Sequence, residues 1–288
     1  MRDPRTPAAS TVSVGGTRTA DHGEANGADV ALPLDDTNLF APSLDLDGLR
    51  IHWAPIAARQ PIGAEQMRGT DVRAKRMGVP SELLMEQAGA AVAAAATALL
   101  VQTERAGSGT ILILCGPGNN GGDGLVAARH RAAHGHRCAA VLVATESGPT
   151  TRDARAAWER LADIPGVDRL QALNARDVSF LAAGVEKAAL VIDALLGTGV
   201  TGPLRDPIRS AVDLTWRGRS AAVPVLAVDT PTAVDLTSGQ ASDPVVRADV
   251  TITFHRPKLG LLTRTGRSLA GLVLVAPIGI PAGADIDG

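Results

Sequence analysis

The segment at residues 115–124 could bind an anionic ligand and move a proton. It follows an apolar run at 111–114 and reads Cys-Gly-Pro-Gly-Asn-Asn-Gly-Gly-Asp-Gly. Glycines allow close backbone approach, and the free N–H groups that begin a helix favour an anion. The Asn-Asn-Gly-Gly-Asp insert is more specific than the glycine spacing, because a plain dinucleotide-binding turn does not need two amides and a carboxylate. A tight turn with Asx hydrogen bonds is the alternative interpretation.

Carboxylates also end two further apolar runs. Asp193 follows the run at 190–192 and leads into a glycine-punctuated loop, and Asp229 follows the run at 225–228. A carboxylate beside an apolar sheet is costly without a partner. Helix capping would explain each acid taken singly. Three acids at one sheet edge, with Asp123 as the third, instead predict a polar site that holds a cation or moves a proton.

The composition limits the classes of protein that the chain can belong to. It has 288 residues, 45% hydrophobic and 2% aromatic, which predicts a sizeable aliphatic core. A net charge of −2 argues against binding nucleic acid by bulk charge or lying on an anionic membrane. No run approaches the roughly 18 apolar residues of a membrane span, and the opening residues lack the apolar stretch of a secretory signal. With two cysteines, we expect a cytoplasmic protein.

The elements that must position these residues alternate along the chain. Continuous apolar runs are typical of strands covered on both faces, and helical patterns lie between them. This order predicts a Rossmann-like, doubly wound α/β fold: a mostly parallel sheet with helices on both faces, in a single domain. Such sheets bind ligands at the carboxyl ends of their strands. The predicted strands are 111–114, 139–143, 190–192, 225–228, 250–254 and 272–275, and the predicted helices between them are 125–134, 152–162 and 206–216.

The N-terminal part has a different texture. Residues 1–50 are rich in small and polar residues without a sustained period, which predicts a flexible leader with a short docking piece around Leu39 and Ile51. The folded domain is then expected over 51–288. It opens with a charged helix at 63–77 and a second helix that Ser81 caps, with an apolar face along one side.

Six blocks of the chain, in order, resemble the NAD(P)H-hydrate epimerase family, the YjeF N-terminal domain. The resemblance covers residues 61–281, and GPGNNGGDG is its most specific signature. It implies a Rossmann-like domain that acts on NAD(P)HX, the nicotinamide nucleotide damaged by addition of water to its ring. The family interconverts the (R) and (S) epimers at C6, so that an S-specific dehydratase can repair both. The blocks are LLMEQAGAAVA, CGPGNNGGDGLVAARH, IDALLGTGVTGPL, VLAVDTPTAVDLTSG, ADVTITFHRPKLGL and GLVLVAPIGIP.

The resemblance also implies the residues of the site. Asp229 corresponds to a substrate contact, and we take it as the catalytic acid/base. One potassium ion per subunit is implied, with Asn120, Asp193 and Thr232 as its ligands. The implied substrate-binding residues are Asn119, Asn120, Gly121, Gly122, Asp123, Gly197, Thr198, Gly199, Val200, Thr201, Gly202, Pro203 and Asp229.

The chain departs from the family pattern in the fourth block. Thr232 and Ala233 stand where the family has Ser and Gly. Threonine keeps a hydroxyl and a carbonyl oxygen, so it can still ligate a hard cation. Alanine fits without strain only where φ is negative. Lys258 matches a family Pro-Lys block, and it could contact a phosphate, contact an acid or cover the sheet edge.

Two other functions remain open from the residues. A nicotinamide dehydrogenase would need an acid ending the second strand, but the nearest one, Glu146, lies beyond it. A catalytically silent nucleotide- or RNA-related scaffold of the same fold is the other. The resemblance further implies a homodimer and, because no dehydratase follows before Gly288, a separate dehydratase partner. Three lysines against 25 arginines suggest a GC-rich bacterial genome.

Overall fold

A parallel β-sheet organises the chain in the computed structural model, which describes residues 30–41, 43–197 and 202–285. In those ranges the sheet has seven strands in the spatial order β3-β2-β1-β4-β5-β6-β7, and every neighbouring pair is parallel. The predicted doubly wound α/β fold is therefore confirmed. The strands are β1 (Ile111–Cys115), β2 (Cys138–Val143), β3 (Val167–Ala172), β4 (Leu190–Ala194), β5 (Val225–Val228), β6 (Val250–Phe254) and β7 (Leu272–Ala276).

Helices cover both faces of the sheet. One core cluster packs α1, α4 and α5 against one face, and a second packs α7 to α9 against the other. The described helices are α1 (Leu46–His52), α2 (Ala54–Ala57), α3 (Ala64–Arg76), α4 (Ser81–Gln102), α5 (Asn119–Ala133), α6 (Arg152–Arg160), α7 (Ala175–Ser179), α8 (Ala182–Val185), α9 (Ile208–Ser220), α10 (Leu259–Leu262) and α11 (Arg264–Ala270), with 3-10 turns at Thr37–Phe40 and Ala282–Ala284.

Helix α4 is buried around most of its circumference rather than along one face. Its N-cap is Pro80, so the predicted capping by Ser81 is wrong. Small residues let it approach its neighbours closely: a Cβ on Gly89 would lie 2.3 Å from Cγ1 of Val126 in α5. Contrary to expectation, α4 has the length and composition of a membrane span, with a mean hydropathy of 1.6 over 18 residues. However, 83% of that window is buried inside the protein.

The packed structure begins earlier than the sequence suggests. Leu39, Leu46 and Leu49 are at most 3% exposed and belong to the main core cluster. The prediction of a flexible leader over 1–50 is therefore wrong for residues 30–41 and 43–50, whereas the expected docking of Leu39 is confirmed. Ile51, expected to help dock this segment, is 69% exposed. Residues 1–29 lie outside the described part of the chain.

Strand β3 is missing from the sequence-based prediction. Its residues, Val-Asp-Arg-Leu-Gln-Ala, are mostly exposed because β3 is an edge strand bonded only to β2. A strand with few buried side chains has no apolar run in its sequence, so it cannot be predicted in this way.

The strand register brings the predicted acids to one edge. Asp193 in β4 pairs with Leu114 in β1 on one side and with Ala227 in β5 on the other. All of these strands run in the same direction, so the segments that follow them leave the sheet together. Helix α5, the loop after Asp193 and the segment from Asp229 therefore begin at the same edge.

Candidate active site

The Asn-Asn-Gly-Gly-Asp insert is the beginning of α5, not a loop. The helix starts at Asn119, and Gly122 already donates its N–H to Gly118 O over 3.1 Å. The sequence predicted the start of this helix at Leu125, because glycine and asparagine are weak helix formers. Tertiary contact requires the glycines, since a Cβ on Gly121 would lie 1.9 Å from Gly116 O. The N-terminus of α5 thus packs directly on the end of β1.

A cleft of about 470 Å³ opens at this sheet edge. Its volume lies in the range of cofactor and substrate pockets. It is walled by α3, by the starts of α4, α5 and α6, and by the ends of β4 to β6. The lining residues include Met67, Arg68, Asp71, Lys75, Met85, Gly118, Asn119, Asn120, Asp123, Thr150, Thr151, Gly197, Asp229, Phe254 and Ile278.

Asp229 is held at the floor of this cleft. It is 8% exposed, and its φ of 64° lies in the left-handed region, which is uncommon for a residue other than glycine. Thr253 Oγ1 donates a hydrogen bond of 3.0 Å to Asp229 Oδ1, and Lys258 Nζ lies 3.7 Å from the same oxygen. The carboxylate therefore has a hydrogen-bond donor and a cation on its Oδ1 side.

The role of Lys258, left open by the sequence, is a contact with an acid. Its side chain is buried, and burial lowers its pKa while the nearby Asp229 opposes that shift. Nζ donates to Thr253 Oγ1 and to the carbonyl oxygens of Phe254 and Arg256 over 2.8–3.0 Å. Lys258 therefore lies behind Asp229, away from the cleft opening.

Asp123 lines the same cleft from the first turns of α5 and is half-buried. Loss of solvent raises its pKa well above the ordinary value, and the charges of Asp229 and Asp71 raise it further. The two cleft carboxyls thus have opposite surroundings: Asp123 is disposed to keep a proton, whereas Asp229 has a cation and a hydrogen-bond donor beside it. Such a pair can act as acid and base.

Asp193 lies beneath the cleft and is fully buried. Its carboxylate accepts hydrogen bonds from Thr232 Oγ1 over 2.7 Å, from Thr232 N over 2.8 Å and from Leu195 N over 3.2 Å. Burial raises the pKa of Asp193 to about 6, against the opposing effect of these hydrogen bonds. The predicted convergence of Asp193 and Thr232 is therefore present in the structure.

Asn120 reaches the same region from α5. A Cβ on Gly197 would stand 3.0 Å from Asn120 Oδ1 and 3.2 Å from Asp229 Oδ2, so these two side chains flank one backbone position. Asn120 Nδ2 is buried without a hydrogen-bond partner among the described residues. A side-chain amide can be assigned in either orientation, and the reversed one would place an oxygen where Nδ2 now stands. That orphaned position fits a cation ligand better than it fits a donor.

Ala233 has a φ of 76°, so the condition under which alanine replaces glycine without strain is not met. It lines a second pocket of about 260 Å³ that shares Leu196 and Gly197 with the cleft. Gly202 also lines this pocket, and the neighbouring Pro203 is exposed. The predicted substrate residues Thr198, Gly199, Val200 and Thr201 lie outside the described residues.

Sequence reasoning missed several residues in the cleft or behind it. Thr253 is hidden within an apolar strand, where a threonine carries no signal of its own. The α3 side chains Arg68, Asp71 and Lys75 were assigned only to a charged helix, and nothing local shows that this helix forms a wall of the cleft. In the described ranges, no group of three or more His, Cys, Asp or Glu side chains is placed to hold a metal. A cation site here would thus use amide, hydroxyl or carbonyl oxygens beside Asp193.

Together, the fold and the site define a Rossmann-like α/β protein with an acid-lined cleft, sized for a nucleotide, at the carboxyl ends of its strands. The model of the family described as YjeF-related protein N-terminus matches residues 81–260. The chain belongs to this family.

Curated relatives and a solved structure agree with this assignment. The chain is 36% identical to the NAD(P)H-hydrate epimerase of Cenarchaeum symbiosum, over 78% of this chain and 97% of that protein. It is 37% identical to the bifunctional NAD(P)H-hydrate repair enzyme Nnr of Pyrobaculum aerophilum, over 79% of this chain but only 43% of that protein. The crystal structure of yeast ynu0, YNL200c, superposes with a TM-score of 0.60 at 25% identity, covering 70% of this chain and 83% of that one.

Proposed function

We propose that this protein is an NAD(P)H-hydrate epimerase that interconverts the (R) and (S) forms of NAD(P)HX at C6. Relatives named for this activity support it, one of them matched over nearly its whole length. The observation that carries the proposal is the pairing of Asp123 and Asp229 in a single cleft with opposite electrostatic surroundings. A dehydrogenase would need no such pair.

The chemistry follows from the hydroxyl at C6, which is bonded to a carbon next to a ring nitrogen. The nitrogen lone pair can form C=N⁺ as the C6–O bond breaks, and a proton delivered to the departing oxygen releases water. A water molecule then adds to the opposite face and gives up a proton. In this scheme Asp123 donates the first proton and Asp229 accepts the second, and their roles exchange for the reverse reaction. Positioned acid–base catalysis typically contributes about 10²- to 10⁴-fold.

We also propose a potassium site formed by Asn120, Asp193 and Thr232. The orphaned amide position of Asn120 and the carboxylate of Asp193 supply the oxygen chemistry that a hard cation prefers. Asp193 already accepts three hydrogen bonds and retains room for a further partner, since a carboxylate offers about four acceptor sites. When bound, the cation would supply positive charge that orders the loops after β4 and β5.

The decisive test supplies pure (R)-NADHX together with an S-specific dehydratase and follows its clearance. Adding this protein should accelerate clearance beyond the spontaneous epimerisation, and more so in potassium than in sodium. Clearance at the spontaneous rate, with the protein folded and nucleotide bound, would instead support the silent scaffold. The observation that favours the silent scaffold as a second candidate is the positive φ of Ala233, at a position where the family has glycine.

We further propose that the protein acts in the cytoplasm as a homodimer and passes its product to a dehydratase. The bifunctional repair enzymes among its relatives support a functional link to further repair chemistry. Sedimentation of the purified protein tests the dimer, which a monomeric mass at micromolar concentration would contradict.

A further inference from the structure

Thr253 and Lys258 form a directed chain of hydrogen bonds behind Asp229. Lys258 Nζ donates to Thr253 Oγ1 over 2.9 Å, and Thr253 Oγ1 donates to Asp229 Oδ1 over 3.0 Å. A hydroxyl has one hydrogen, and the lysine already occupies the acceptor side of this one. The threonine hydrogen is therefore aimed at the carboxylate.

Lys258 also donates to two backbone carbonyl oxygens. Its other two N–H bonds go to Phe254 O and Arg256 O, so three acceptors use the three donors of the ammonium group. The side chain is also 1% exposed. It acts on Asp229 through its charge, 3.7 Å away, and through Thr253.

We propose that Thr253 is a positioning residue for Asp229, and that Lys258, acting through it, holds this carboxylate toward the cleft. The inference rests on the proposed function. The backbone of Asp229 is left-handed, so the contacts to its side chain also help to hold a conformation that is uncommon outside glycine. The charged side chains of α3 and α5 that line the cleft are Arg68, Asp71, Lys75 and Asp123, and Lys75 Nζ donates to Asp71 Oδ2 over 2.7 Å. Lys258 Nζ, 3.7 Å away, supplies a positive charge beside the Asp229 carboxylate.

The strand provides its own control. Thr251, two residues before Thr253, is just as buried, but its hydroxyl donates to Ala270 O over 2.7 Å, away from Asp229. Thr253→Val and Thr251→Val thus remove the same hydroxyl from equally buried positions of β6. Thr253→Ser retains the hydroxyl and serves as the rescue.

The test measures kcat/KM for epimerisation as a function of pH. Thr253→Val should move the acidic limb of the profile upward by about one pH unit and lower kcat/KM about tenfold on that limb. Thr253→Ser should restore the wild-type profile, and Thr251→Val should leave it in place. A Thr253→Val profile that coincides with that of Thr251→Val would overturn the proposal.

A second measurement tests the hydrogen-bond chain from Lys258 through Thr253 to Asp229 without relying on enzyme turnover. Carbon-13 spectra of aspartate-labelled protein follow the titration of the Asp229 carboxyl, whose signal is identified by its loss in Asp229→Asn. This titration should occur at higher pH in Thr253→Val than in the wild type or in Thr251→Val. If Asp229 titrates at the same pH in Thr253→Val as in the wild type, the proposed role of Thr253 is contradicted, whether or not the protein is active. An inactive wild type with a displaced Thr253→Val titration contradicts only the epimerase function.

Discussion

Two hydrogen bonds join Asp193 to Thr232 across 39 residues of sequence: Thr232 Oγ1 donates to Oδ1 and Thr232 N to Oδ2 of the same carboxylate. Thr232 Oγ1 also accepts the N–H of Leu196, which precedes the glycine between Asn120 and Asp229. The end of β4 and the segment after β5 are thereby fixed to each other. Threonine in place of serine preserves this arrangement, because each of these contacts uses the hydroxyl or the backbone.

Asp229→Asn should abolish most of the turnover. The amide cannot accept the proton of the incoming water, so we expect kcat/KM to fall by about 10²- to 10⁴-fold. Binding of NADPH, measured by calorimetry, should remain near the wild-type value, since the shape of the cleft is retained. A variant with more than half of the wild-type turnover would show that the proton acceptor lies elsewhere.

Asp123→Asn should stabilise the protein at neutral pH while reducing its activity. The pKa of Asp123 is raised in the folded state, so between about pH 4 and that raised value the folded chain binds more protons than the unfolded chain. The wild-type free energy of unfolding should therefore fall as the pH rises through this interval, by up to about 1.4 kcal/mol per pH unit.

Asparagine does not titrate, so this part of the pH dependence should disappear from Asp123→Asn. Thermal unfolding from pH 3.5 to 8 measures the difference, which should be smallest at the acidic end. Parallel curves for the two proteins would mean that Asp123 titrates alike in the folded and unfolded chains.

Ala233→Gly should relieve backbone strain in the segment after β5. A left-handed alanine costs roughly 1–2 kcal/mol, part of which the greater freedom of glycine in the unfolded chain offsets, so we expect a gain of up to about 1 kcal/mol. Ala222→Gly is the matched control, because Ala222 also has a positive φ of 59° but lies in the turn after α9. Denaturant unfolding should show similar gains for both. Only the change at Ala233 should alter the potassium dependence of turnover.

Gly197→Ala should impair the site with little loss of stability. The added methyl group would stand 3.0 Å from Asn120 Oδ1 and 3.2 Å from Asp229 Oδ2, so it must displace one or both side chains. A displacement of this size near the reacting groups can cost about 10²-fold in kcat. Gly148→Ala is the control, since a Cβ at that position meets no atom within 4 Å. Equal kinetics for the two variants would show that turnover does not depend on the positions of the Asn120 and Asp229 side chains beside Gly197.

The outline of the fold could be predicted from the sequence wherever burial is complete. The runs at 225–228 and 250–254 coincide with β5 and β6, because a strand covered on both faces must be apolar throughout. Edge strand β3 was not predicted, because most of its side chains face solvent and its sequence is therefore not apolar throughout. The buried leucines of residues 30–50 are too widely spaced to form a period. Their burial depends on packing against α4, which the local sequence does not show.

By itself the sequence determined that acids follow the strands at Asp193 and Asp229, and that an amide- and glycine-rich segment follows β1. Parallel strands then oblige these groups to share one edge. Only the tertiary structure decided which contacts they make: that Asn119 begins a helix, that Ala233 is left-handed, and that Thr253 links Lys258 to Asp229. Those relationships depend on distances between segments far apart in the chain, and the order of residues within any one segment does not encode them.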